Sequence, residues 1–264
     1  MHPIERLRYV ARAGGVDQSS LAREAADALV SLTDDPAELV TACRRILYRH
    51  PIAGALWSMS ARVLTATDPM LAAWDVADEL ASDPTSDRVA DALPHDAAVC
   101  VLGWPDAAAE GLHRRGDIEV RVIDAYGEGG GLARRLMQRD VDVVEVPLTG
   151  LGQACARADV VLVEAAAAGP SGLVAASGSY AAAAVAQAGG AEVWAVVPRG
   201  RALPAQLFDT LLTRMGDDEP WELDEEMVPL GVVSHIAGPD GVTEVSAGVR
   251  ADCDVAHELM RAVL

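Results

Sequence analysis

The chain contains no lysine: its 21 basic residues are all arginine, set against 40 acidic residues for a formal net charge of −19. A surface of that sign argues against non-specific binding to nucleic acid, which needs clustered cations facing phosphate. Excess acid without lysine is the composition expected of a halophilic protein, whose self-repulsion is screened over short distances by a high-salt cytosol. A GC-rich genome also removes lysine, but it accounts less well for the acidity. Aromatic residues make up only 4% of the chain, with a single phenylalanine, so alanine, valine and leucine must build the core. The four cysteines, Cys43, Cys100, Cys155 and Cys253, form no C-x-x-C pair, and that excludes a zinc ribbon or redox dithiol of this type. Each reads as a small buried apolar residue. The histidines are dispersed, and His257-Glu258 is not part of an H-E-x-x-H motif. No metal site and no cofactor are expected. No apolar run reaches the length of a membrane span. The opening stretch, MHPIERLRYVARAGG, has neither a hydrophobic signal core nor a cleavage pattern, so a cytoplasmic protein that does not bind membranes is expected.

What is present is a chain of 264 residues with 51% apolar content, enough for one large domain or two small ones. Residues 1–95 read as helices. Ser20 is placed to cap a helix carrying Leu21, Ala25, Leu29 and Leu32 on one face. Asp34-Asp35-Pro36 ends that helix and starts the next, which runs to about His50. Pro51 breaks it, and helices over Ile52–Thr65 and Pro69–Ala81 follow. The pattern changes in the Asp-, Pro- and Ser-rich stretch Ser82–Asp96. Beyond it, apolar β runs (Ala97–Leu102, Glu119–Ile123, Val141–Val146, Val160–Val163, Glu192–Val197) alternate with helical runs. That alternation implies a parallel sheet covered on both faces. Val232–Ala237 and Val242–Val245 flank a Gly-Pro-Asp-Gly turn and read as a hairpin, and a last helix is expected over Ala256–Leu264. The fold class is α/β, with a helical domain over 1–95 and a Rossmann-like domain over 96–264.

The most informative segment is VVLVEAAAAGPSGLVAASGSYAAAAVAQAGGAEVWAVV, residues 160–197. An apolar strand ends at a lone acid, Glu164. A small-residue loop over Ala165–Gly172 follows, then Ser177-Gly178-Ser179-Tyr180 opens an alanine-rich helix. Ligands bind at the carboxyl ends of strands in open α/β sheets, and helix N-termini offer unpaired N–H groups to anions there.

This segment resembles the signature of the family of translation initiation factor 2B alpha, beta and delta subunits, which also holds ribose-1,5-bisphosphate isomerase and methylthioribose-1-phosphate isomerase. Asp159, Val161, Ala165, Gly172, Ala175, Gly178 and Ser179 keep the signature's frame. Arg49-His50-Pro51 is similar to the family's R-P-[ST] stretch, Arg201-Ala202-Leu203-Pro204 to its K-F-D-P, and Cys253-Asp254-Val255 to its F-D-V. The resemblance implies a helical domain on a Rossmann-like domain, a homodimer or association with related subunits, and a sugar-phosphate or nucleotide ligand.

The departures from the family bear on catalysis. The isomerases' catalytic Asp falls on Ala166, with Glu164 as a displaced substitute, and their Asn-Lys pair falls on Ala175-Ala176 or Ala176-Ser177. Their catalytic Cys loop reads Leu102-Gly103-Trp104-Pro105-Asp106-Ala107 here. Cys100 lies inside the preceding strand, where a core-facing thiol is inert. The arginine of their E-x-R-P motif is missing from Asp124-Ala125-Tyr126-Gly127. Loss of a paired acid and base points to a subunit-like protein without isomerase activity, and Gly172–Ser179 resembles the beta-subunit form of the loop. The alternative is an aldose–ketose isomerase acting on a ribose phosphate, with Glu164 as proton carrier and Asp124, Glu128 or Asp254 as its partner.

The candidate ligand-binding residues are Asp124, Gly129, Gly130, Glu164, Gly172, Ser177, Gly178, Ser179, Arg201 and Asp254. Gly127–Gly131 reads either as a phosphate cradle or as a flexible loop before a helix carrying Arg134 and Arg135. Ser177 and Ser179 fit either a helix cap or an anion site. Arg199 and Arg201 read as phosphate holders or as solvated loop residues. Arg12, Gly14 and Gly15 match the isomerases' R-G-x-G loop poorly. Asp217-Asp218-Glu219 and Asp224-Glu225-Glu226 lack EF-hand spacing and read as solvated acidic surface.

Overall fold

The computed structural model describes residues 17–125, 127–216 and 219–261; Arg12, Gly14, Gly15, Asp217 and Asp218 lie outside them. The first helix, α1 (Gln18–Leu29), is capped by Asp17, whose carboxylate accepts from Ser20 N at 3.0 Å. The expectation of Ser20 as cap is therefore corrected. An Asp three positions earlier does the same chemistry and brings Ser20 into the first turn. Helix α2 (Pro36–Arg49) starts as expected, with Asp35 accepting from Ala37 N and Glu38 N and Pro36 in the first turn. Helices α3 (Gly54–Thr65) and α4 (Pro69–Ala81) follow. The Asp- and Pro-rich stretch also contains α5 (Thr85–Ala92). Asp83 sets its start by accepting from Thr85 N at 3.0 Å and from Thr85 Oγ1 at 2.6 Å, so these turn residues serve as a cap.

From residue 98 the order is β1 (Ala98–Leu102), α6 (Asp106–Leu112), β2 (Glu119–Asp124), α7 (Gly129–Met137), β3 (Asp142–Pro147), α8 (Leu151–Ala156), β4 (Val160–Glu164), β5 (Ala167–Gly169) and β6 (Gly172–Ala176). Then come α9 (Ser179–Gly189), β7 (Glu192–Val196), α10 (Ala205–Met215), β8 (Glu225–Pro229), β9 (His235–Gly238) and β10 (Gly241–Glu244). The main sheet has seven strands in the order β10-β9-β7-β4-β1-β2-β3. All pairings are parallel except the β9–β10 hairpin at one edge. From β1 the chain builds β2 and β3 on one side, then crosses to β4 and β7 on the other. The switch point lies between the carboxyl ends of β1 and β4.

Three expectations need correction. Residues 165–172 do not form a simple loop: β5 and β6 pair antiparallel, and β6 pairs with β8 in a separate three-stranded sheet. Short alanine- and glycine-rich strands carry little local signal, and pairing with a strand some fifty residues on decides their conformation. Helix α10 was not anticipated. The last expected helix is a single 3-10 turn, His257–Met260, with residues 262–264 outside the described set.

The core explains how so few aromatics suffice. Leu29, Leu47, Leu56, Trp57 and Met59 of the helical half are buried in one cluster with Val174, Leu207, Phe208 and Leu211 of the later half. Two alanine-, valine- and leucine-rich clusters cover the faces of the main sheet. Among the described residues no helix is long and apolar enough to cross a membrane. Gly54 marks a close approach between the halves. Its N–H donates to Ala166 O at 3.0 Å, and a Cβ there would lie 2.7 Å from Ala166 O and 3.0 Å from Ala167 Cα. Gly54→Val should lower stability by roughly 1–3 kcal/mol, the usual cost of overpacking, as read by urea denaturation. An unchanged midpoint would show that the halves are not held this closely.

Candidate functional site

Glu164 ends β4 at the switch point. Its Oε1 accepts from Arg201 Nη1 at 2.8 Å, and its Oε2 accepts from Ala108 N at 2.9 Å in the first turn of α6. Both side chains of the ion pair are buried, at 7% and 5% exposure. Arg201 is fixed by its backbone: its carbonyl accepts from Ala168 N at 2.8 Å, pinning the segment to β5. Arg201 Nη1 also donates to Ala165 O at 2.8 Å, while Nε is buried with no hydrogen-bond partner among the described residues. The candidate proton carrier thus has both oxygens occupied, one by a cation and one by a backbone N–H.

A cleft of about 200 Å³ opens beside this pair, lined by Trp104, Asp106, Glu128, Ala176, Ser179 and Glu225 together with Glu164 and Arg201. Four carboxylates face one arginine, and that arginine is already neutralised. Ala166, which the resemblance aligns with the isomerases' Asp, also lines the cleft and brings only a methyl group. The titratable group brought nearest in effect to Glu164 is Asp106, which the sequence reading passed over. Asp106 is exposed at the cleft mouth, yet enclosure of its carboxyl, and next the charge of Glu164, push it up to about 6. Burial raises Glu225 as well, with Asp224 adding to the effect.

Two other helix starts at this edge, those of α7 and α9, are also filled. At α7, Gly129 N donates to Asp124 Oδ1 at 3.1 Å. A Cβ on Gly129 would meet Asp124 Cα at 2.8 Å, so glycine is what lets the helix start this close to the end of β2. At α9, Gly178 takes a left-handed φ of 99° and provides no side-chain cap. Glu226, from β8, accepts from Gly178 N at 2.7 Å and Tyr180 N at 2.8 Å through Oε1. Three helix N-termini, those of α6, α7 and α9, therefore each bind a carboxylate of the same chain. Each carboxylate satisfies N–H groups that helix geometry leaves free and interacts favourably with the positive end of the helix dipole.

The predicted residues divide accordingly. Glu164, Arg201 and Ser179 share the cleft, and Asp124 with Gly129 forms the α7 cap. Gly130 faces Glu145, whose Oε1 would lie 3.2 Å from an added Cβ. Gly172 is packed inside the small sheet, where a Cβ would meet Met227 Cε at 2.4 Å and Val228 O at 2.5 Å. Ser177 does not cap α9; its Oγ donates to Leu223 O at 2.6 Å and its N–H to Asp224 O at 2.8 Å. Asp254 is exposed in the C-terminal segment and does not line the cleft. Its neighbour Asp252 is the tied carboxylate, accepting from Ala202 N at 3.0 Å. The run Asp224-Glu225-Glu226, expected as solvated surface, is instead built into the site. Cys100 is fully buried with its Sγ 3.8 Å from Cys155 Sγ; that contact and burial raise its pKa. No local sequence signal marks Glu226 as the cap of a helix that begins 47 residues earlier.

Neither protein-family profiles nor curated protein sequences give a match to this chain. Solved structures do. The translation initiation factor eIF-2B of Pyrococcus horikoshii OT3 superposes with a TM-score of 0.77 at 13% identity, covering 94% of this chain and 98% of that one. The eIF2B beta subunit of Chaetomium thermophilum gives 0.74 at 16% identity, covering 99% and 93%. A chain of the tetrameric eIF2B-beta2-delta2 complex from C. thermophilum gives 0.72 at 17%, covering 93% and 91%. At these identities the likeness establishes the fold: this chain shares the α/β architecture of eIF2B subunits over nearly its whole length.

The raised pKa of Asp106 has a definite consequence for pH. Its value is raised to about 6 in the folded protein from 3.8 for a free aspartate side chain, so the folded state holds the proton more tightly than the unfolded chain. Its contribution to stability is present below about pH 4 and lost as pH rises through about 6. Asp106→Asn should therefore melt higher than the parent at pH 7–8, with the gap closing towards pH 4. A gap that does not change with pH would contradict this assignment.

Proposed function

We propose that this protein is a catalytically silent, eIF2B-subunit-like component that acts by assembly, as a homodimer or with related subunits, and does not turn over a sugar phosphate. One observation carries the reading: three helix N-termini at the ligand edge, those of α6, α7 and α9, bind the chain's own carboxylates, Glu164, Asp124 and Glu226. A phosphate arriving there would meet occupied N–H groups and a cleft lined by Asp106, Glu128, Glu164 and Glu225. The Arg201 charge is matched by Glu164 at 2.8 Å. The tetrameric arrangement described for the C. thermophilum beta and delta subunits supports assembly as the role of this fold, and the acidic composition supports a protein working in high salt.

A second reading is favoured by Asp106. A carboxyl near pKa 6 in a cleft is poised for proton transfer at neutral pH, and beside Glu164 it gives the acid–base pair that an altered aldose–ketose isomerase would need. Turnover of ribose 1,5-bisphosphate at molar salt that disappears in Asp106→Asn would establish that reading and overturn assembly without catalysis.

The assembly reading has a positive test of its own. In thermal melts at constant ionic strength, AMP, pentose phosphates and sulfate should leave the parent protein unshifted. Glu226→Ala frees Gly178 N and Tyr180 N. It should cost about 1–2 kcal/mol, as loss of a helix cap does, and should gain a sulfate-dependent stabilisation that the parent lacks. Equal stabilisation of the parent by a pentose phosphate would show that the edge is open to anions.

A further inference from the structure

The run Arg44-Arg45-Ile46-Leu47-Tyr48-Arg49-His50 places three arginines and a histidine in seven residues with no acid among them. It ends α2, with His50 as the C-cap. Helical spacing turns Ile46 and Leu47 into the core and leaves Arg45, Tyr48 and Arg49 exposed, Tyr48 by 70%. Arg44 is half-buried, and its Nε donates to Glu258 O at 2.8 Å in the C-terminal 3-10 turn. The fold brings a second guanidinium to the same turn from α10. Arg214 donates through Nη2 to Leu259 O and, at 3.3 Å, to Arg261 O, and its guanidinium lies 4.6 Å from the centroid of the Trp57 ring. Burial, and next the charge of Arg44, lower the pKa of Arg214. Neither arginine forms an ion pair among the described residues. Backbone carbonyls and the C-terminal ends of the helices hold these cations in place, but partial charges do not neutralise two full ones. In a chain with 40 acids, two guanidiniums brought together with no carboxylate between them call for a partner from outside.

Each guanidinium keeps one edge free. Nη1 and Nη2 of Arg44, and Nε and Nη1 of Arg214, make no hydrogen bond among the described residues, and none of these atoms is sealed from solvent. Such an edge presents two parallel N–H donors, the fork that a carboxylate takes. We propose that this face of α2, α10 and the C-terminal turn docks an acidic peptide segment of a partner chain, whose carboxylates take the two free edges and whose length runs past Arg45, Tyr48 and Arg49. Charge complementarity selects that chemistry: carboxylates repeated along a peptide match arginines spaced along a helix. Tyr48 adds an exposed aromatic ring, which together with arginine is the side-chain pairing enriched at protein interfaces. A nucleic acid would meet the same cations, but the net charge of −19 repels a long polyanion, whereas a short acidic segment needs to cover only the patch. The inference rests on the assembly reading in one respect, the assignment of that segment to another subunit.

The test uses the whole chain at the lowest KCl concentration at which it melts cooperatively, since salt screens exposed charges. Three fluorescein-labelled probes are compared by anisotropy: a peptide of alternating glutamate and leucine, the same peptide with glutamine for glutamate, and a single-stranded RNA of similar length. The glutamate peptide should bind saturably, and at least tenfold more weakly to the double variant Arg45→Glu/Arg49→Glu. Those two positions are exposed and leave the contacts of Arg44 and Arg214 with the turn intact, so folding, checked by circular dichroism, should be unchanged. Arg44→Gln should weaken binding as well. Absence of saturable binding, equal affinity for the glutamine peptide, or binding unchanged in both variants overturns the surface. Tighter binding of the RNA overturns the assignment to carboxylates. Self-association of the parent in sedimentation that Arg45→Glu/Arg49→Glu abolishes overturns the assignment to a different chain in favour of a second copy. The assembly reading fails separately, on phosphate stabilisation or turnover, which none of these probes measures.

Discussion

The buried pair of Glu164 and Arg201 holds the switch point together. It joins the end of β4, the segment after β7 that runs along β5, and the first turn of α6. Removing either member would leave an uncompensated charge at a site nearly closed to water, a change that typically costs about 3–5 kcal/mol. A carboxylate used this way is a structural group. Its oxygens are aligned on fixed donors, and a proton carrier needs at least one oxygen free to meet substrate. The position at which the sequence suggested residual chemistry is thus tied to two donors of its own chain.

The same logic extends along the edge. Backbone N–H groups at a helix start attract whatever negative charge is nearest, and in a chain with 40 acids and 21 arginines that charge is internal. Asp124 reaches α7 from the strand before it, and Glu226 reaches α9 from a different sheet. The acidity of this protein thus acts in two places: on the exposed surface, and at helix starts whose N–H groups are of the kind that binds anions.

The helices and the parallel strands were legible because their signals are local. Asp35-Pro36 starts a helix and Pro51 follows its end, while the apolar runs at 98–102 and 160–164 carry the length and composition of buried strands. Cys100 was rightly placed inside a strand, facing the core. The small sheet was not legible, since β5 has three residues and β6 is alanine-rich, and both depend on β8 for pairing. The site was half legible for the same reason. Glu164 and Arg201 stood out as a lone acid and a loop arginine, but their mutual contact spans 37 positions. Asp106 and Glu226 gave no signal, since one looks like an ordinary first-turn acid and the other like part of an acidic run. The sequence shows departures from the family's catalytic positions; only the geometry shows which contacts Glu164, Asp124 and Glu226 make instead.

Native-state amide hydrogen exchange reads the N–H groups at these helix starts one by one. First-turn amides of helices ordinarily exchange freely because they lack intrahelical acceptors. If the chain's own carboxylates occupy this edge, then Ala108, Gly129, Gly178 and Tyr180 should all be protected in the ligand-free protein at neutral pH. Exchange of these four amides at the rate of unstructured peptide, with the helix interiors still protected, would contradict the account.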